Sequence, residues 1–149
     1  MATTLPAQPA APSRARQLSE TGLRAFGATM IGLAMATLVV GTAWDTQWHV
    51  AVGRDRALTA PHVMMLFGIA LAGLVSLALV LANTWRFRRG VAVTPANSSR
   101  VLGFFQAPAG LVLAGTGALL AAVAFPLDDY WHSLYGIDVT LWAPFHVMI

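Results

Sequence analysis

The 149-residue chain has no cysteine and no lysine. The first absence excludes disulfides, iron–sulfur ligation and thiolate zinc sites. Charge of either sign is scarce as well. Nine arginines and six acidic residues make up 10% of the chain, against about a quarter in an ordinary soluble domain. That is too little to cover the surface of a globule. There is no phosphate-binding glycine loop, because the glycines are scattered through apolar stretches, and no nucleophile elbow or Ser-His-Asp pattern. What the chain has in excess is apolar surface, with 57% hydrophobic residues and a mean hydropathy of +0.66. The net charge of +3 and a pI near 10.6 would suit nucleic acid, but no basic groove with interleaved aromatics accompanies them. The arginines read instead as a membrane-topology signal, so the expected partner is the lipid bilayer and not nucleic acid.

The expected fold class is all-α, a polytopic helical membrane protein. Residues 1–22 are rich in Ala, Pro, Ser and Thr and read as a mobile polar tail. The tail is not a secretory signal peptide, since its arginines come late and the apolar stretch after it is too long. The transmembrane domain is expected over 23–149. Ala25 to Trp44 is free of formal charge and at about 1.5 Å per residue covers the roughly 30 Å of a bilayer core. His62 to Trp85 and Val101 to Leu127 form two further runs without formal charge. A fourth span begins near Pro144 and stops after about one turn, so the sequence is expected to be a piece of a longer chain.

Seven of the nine arginines flank one side of these spans: Arg14, Arg16 and Arg24 before the first, and Arg86, Arg88, Arg89 and Arg100 between the second and third. The excess of positive charge puts that side, with the N-terminus, in the cytoplasm of a bacterial-type inner membrane. The loop holding Arg54 and Arg56, and the segment after the third span, then face outward.

Those two outer segments share a pattern. The first runs Asp45, Trp48, His49, Gly53 and Asp55, followed by Pro61, His62, Val63 and Met64; the second runs Asp128, Trp131, His132, Gly136 and Asp138, followed by Pro144, His146, Val147 and Met148. This is an internal repeat of two transmembrane hairpins, at about 23–86 and 100–149, the second truncated. All four histidines and five of the six acidic residues lie in it. Ionisable groups at membrane depth are costly and need a partner. Asp45 and His49, four apart, share one helix face, and His62 returns at the start of the next helix, where Pro61 suits the first turn. Asp128, His132 and His146 repeat the arrangement. One carboxylate and two imidazoles suit copper, iron or zinc alike.

Other readings of these residues are open. The histidines fit as hydrogen-bonded interfacial residues that cap and cross-link helices, beside a belt of Trp44, Trp48, Trp131 and Trp142. Asp55 and Asp138 fit as acceptors orienting an imidazole or as solvated loop residues. Met64, Met65 and Met148 fit helix interfaces better than copper ligation. Paired helical histidines can also hold haem, but the carboxylate in each triad favours a mononuclear metal.

The order Asp45, His49, His62, with Trp48 before the first histidine, Arg54 and Asp55 after it and Thr59 before Pro61, resembles the C-type subunit of the copper membrane monooxygenases, the family of particulate methane monooxygenase and ammonia monooxygenase. Asp128, His132 and His146, with Asp138 and the run Ala143, Pro144, Phe145, resemble the second metal site of that same polypeptide, whose first position is commonly asparagine. The resemblance covers roughly 25–149. It implies copper held by Asp45, His49 and His62, which would carry the catalysis, and a neighbouring copper at His132 and His146 with Asp128 in the asparagine's place. It further implies O2-dependent hydroxylation of methane, short alkanes or ammonia in a hetero-oligomer with A- and B-type subunits. A non-catalytic protein that stores, passes on or senses copper or zinc would carry the same ligands.

Overall fold

The structure is a computed structural model, and it describes residues 13–53, 56–91, 98–136 and 144–149. It is built on three long helices, α1 (Arg14–Ala51), α2 (Ala60–Arg88) and α3 (Ala109–Tyr135). All three are long and apolar enough to cross a membrane. Between α2 and α3 lies a two-stranded antiparallel hairpin, β1 (Ser99–Val101) and β2 (Phe105–Ala107), pairing Ser99 with Ala107 and Val101 with Phe105. A 3-10 helix, His146–Met148, follows near the end.

Helix α1 has 38 residues, about 57 Å at the helical rise, well beyond the roughly 30 Å of a bilayer core. Its N-terminal part enters the stretch read as a polar tail: from Arg14 the chain is helical, and residues 1–12 lie outside the described residues. After Pro12 nothing breaks a helix, the Arg, Gln, Leu, Glu and Ala that follow favour one, and Glu20 pairs with Arg24 one turn on at 4.0 Å.

The third span also differs from its expected bounds. Val101 to Ala107 belongs to the hairpin, and the helix begins only after Pro108, which serves as its N-cap. Leu102 and Gly103 turn the hairpin with φ of 51° and 78°, the positive values that a tight hairpin turn requires. The hairpin is tied to α2 by Thr84, whose hydroxyl donates to the Val80 carbonyl and accepts from the Gln106 amide at 3.0 Å.

Helix pairing in an apolar solvent relies on close backbone approach at small residues, and this chain supplies them. A Cβ on Gly68 of α2 would stand 2.9 Å from the Ala34 carbonyl of α1, and one on Gly41 of α1 would meet the Met65 side chain of α2. Ala34, Ala72 and Ala118 form the core where the three helices meet, and Gly115 of α3 faces Ser76 of α2. Met65 is buried at the α1–α2 seam, in keeping with a packing role. The antiparallel hairpin α1–α2 thereby brings the end of α1 next to the start of α2.

Candidate metal centre

Asp45 and His49 occupy the last two turns of α1, and His62 the first turn of α2. Two features of the sequence fix the start of α2. Thr59 is the N-cap, its side chain accepting from the His62 amide, and Pro61 falls in the first turn, where its missing N–H goes unmissed. Asp45 then bridges the two histidines. Its Oδ2 lies 3.4 Å from His49 Nε2 and its Oδ1 3.1 Å from His62 Nε2. One donor atom from each of the three residues lies within 4.8 Å of the others. Ligand atoms sharing one tetrahedral ion at about 2.1 Å stand roughly 3.4 Å apart, so these residues could hold a first-row metal once the most widely spaced donor atoms, now up to 4.8 Å apart, draw together. The site is largely enclosed, the side chains of Asp45, His49 and His62 being 14%, 23% and 12% exposed.

The ring of His62 is held from behind. Its Nδ1 lies 3.0 Å from the Arg56 carbonyl, and a carbonyl only accepts, so Nδ1 carries the hydrogen. Nε2 is thereby turned towards Asp45, the arrangement in which an imidazole presents a lone pair to a metal. Phe125 of α3 stands edge-on against the same ring at 5.4 Å.

The second motif is partly assembled. Asp128 and His132 lie one turn apart near the end of α3, with Asp128 Oδ2 3.3 Å from His132 Nε2. His132 Nδ1 donates to the Gly136 carbonyl at 3.2 Å, the same type of backbone support that His62 receives. His146 opens the 3-10 helix; its side chain lies outside the described residues. The helix is held against α3 by Phe145, whose ring meets Trp131 at 5.9 Å. Asp55, Asp138 and Trp142 lie outside the described residues.

The acceptors that orient His62 and His132 are main-chain oxygens, and reasoning from side chains missed them. A signal was present for one of them: Gly136, four residues after His132, ends α3 with φ 86° and ψ −171°, a conformation open essentially to glycine alone. The structure also joins the motifs. A cavity of about 310 Å³ is lined by Arg56 and His62 of the first and by Asp128, Asp129 and His132 of the second, with Phe125 between them. It can admit a small molecule to His62 and His132, one histidine of each motif. The chain matches no protein-family model, no curated protein and no solved structure.

Proposed function

We propose that the chain is a copper-binding membrane subunit similar to the C-type subunit of the methane and ammonia monooxygenases. In this reading Asp45, His49 and His62 hold one copper, Asp128, His132 and His146 a second, on two repeated hairpins whose ligand ends face outward. The observation that carries it is the convergence of Asp45, His49 and His62, from two helices, to within 4.8 Å. Copper bound there would supply the activation of O2 for hydroxylating a small substrate. The chain's own part is to orient the ligands, with His62 braced on the Arg56 carbonyl, and to keep the site largely enclosed by protein, which limits water at the reacting centre.

The test is the metal content of purified, membrane-extracted protein loaded with copper. The parent chain is expected to hold copper with high affinity, and the His49→Ala/His62→Ala variant to lose the first-site copper. Equal copper in the two would refute the assignment. A metal-free protein whose stability falls on removing His49, with or without chelator, would establish the histidines as structural cross-links.

A second reading, a non-catalytic protein that stores, transfers or senses copper or zinc, draws support from His49, whose side chain is 23% exposed at the end of α1 and so can exchange an ion with solution. Rapid loss of bound metal to a soluble chelator, with no hydroxylation in membranes containing A- and B-type partners, would select it.

A further inference from the structure

The end of the molecule opposite the histidines holds a larger cavity, of about 480 Å³, between α1, α2 and the start of α3. Its mouth carries Glu20 and Arg24 from α1 and Arg86 from α2; below them the walls are apolar, with Ile31, Leu79 and Leu111 among them. The groove is deep because side chains are missing from its walls. Gly32 and Gly110 line it, and a Cβ at either would meet nothing within 4 Å. From Glu20 to Gly32 the groove follows α1 for twelve residues, about 18 Å at the helical rise, against about 15 Å for one leaflet of the hydrocarbon core. Glu20 engages Arg24 at 4.0 Å, while Arg86 has no salt bridge among the described residues. The mouth therefore keeps a net positive charge at the level where a span meets the lipid headgroups.

We propose that this cavity binds an anionic phospholipid. The phosphate sits between the Arg24 and Arg86 guanidiniums, and one acyl chain runs past Ala28 and Ile31 to the open space at Gly32 of α1, towards mid-bilayer. Basic pockets between spans are the usual form of such sites. A free phosphate would use the mouth and leave the apolar length of the groove unexplained. The site lies away from the metal ligands, so the proposal stands apart from the copper reading.

The experiment is native mass spectrometry of the full chain released from nanodiscs of equal phosphatidylglycerol and phosphatidylcholine. The expected result is selective retention of phosphatidylglycerol. The Arg24→Ala/Arg86→Ala variant is expected to lower that retention about 25-fold, roughly fivefold per guanidinium. Glu20→Gln, which removes the competing carboxylate, should raise it, a gain that mere loss of folding cannot mimic. Gly32→Phe, which fills the groove where space is open, should abolish retention of either lipid with helicity unchanged. Equal retention of both lipids by the parent chain, or a preference that neither the arginine pair nor Glu20→Gln alters, would overturn the proposal. So would a dimer without lipid that Gly32→Phe dissociates, since the groove would then seat a second copy of the chain.

Discussion

Gly136 shows how one residue can serve a site without reaching it. Its φ of 86° and ψ of −171° let it end α3 while its carbonyl turns back to accept from His132. An alanine there must adopt a conformation costing about 1–3 kcal/mol. Gly136→Ala is therefore expected to lower the thermal stability of the detergent-solubilised protein by that order and to loosen the His132 ring, while leaving Asp45, His49 and His62 alone. At the first site the telling substitution is Asp45→Asn. It preserves shape but removes the charge between two imidazoles. Loss of an outer partner alone costs 10–100-fold in metal affinity, so loss of the bridging carboxylate should cost at least that, read by copper titration. That Asp45, His49 and His62 would come together was legible in the sequence, because they are chemically distinct from the apolar runs around them. The carbonyls behind His62 and His132 were not, since every residue has one and only the path of the chain says which will point at a ring.

At the scale of elements, the distance between α1 and α2 sets the distance between His49 and His62. That spacing is held where Gly68 approaches the Ala34 carbonyl and where Gly41 meets Met65. Gly68→Leu forces the helices apart at a cost of about 1–3 kcal/mol, and it should weaken copper binding although no ligand is altered. Gly22→Ala is the matching control. A Cβ there meets nothing within 4 Å, so it should leave copper affinity unchanged and, by the helix preference of alanine, stabilise by about 0.5–1 kcal/mol. Apolar runs predicted the middles of the three helices well and their ends poorly. Between Arg14 and Gly22 the helix forms through propensity and not hydrophobicity, which a search for uncharged stretches passes over. Between Val101 and Ala107 the opposite holds: Val101, Leu102, Phe104 and Phe105 look like the start of a span, yet Gly103 lets the chain reverse and Pro108 delays the helix.

The whole molecule presents its apolar surface outward. Within the most hydrophobic 18-residue stretch of each helix, the buried share is only 11% in α1, 33% in α2 and 17% in α3, so the helices make few of the contacts that an apolar surface seeks and leave the rest to lipid or further helices. The arginine-bearing starts of α1 and ends of α2 meet at one end, as their shared cavity shows, and the histidine motifs share the other. The excess of arginine at the first end predicts which side each faces. Because the chain has no cysteine, single cysteines can report this without background. Ser99→Cys should be labelled by an impermeant maleimide only from the cytoplasmic side, and Leu58→Cys, in the loop beside the first motif and 74% exposed, only from the outside. The reverse pattern would invert the topology. The backbone bracing of His62 has a different bearing, on how the chain tolerates change. Since the Arg56 carbonyl is what holds the ring, any amino acid can supply it at that position so long as the loop keeps its course. Substitution scanning would thus mark Asp45, His49 and His62 by their side chains and pass over residue 56 as far as ring orientation goes, while insertion or deletion of one residue between Gly53 and Thr59 would swing the imidazole away from Asp45 with all three side chains still present.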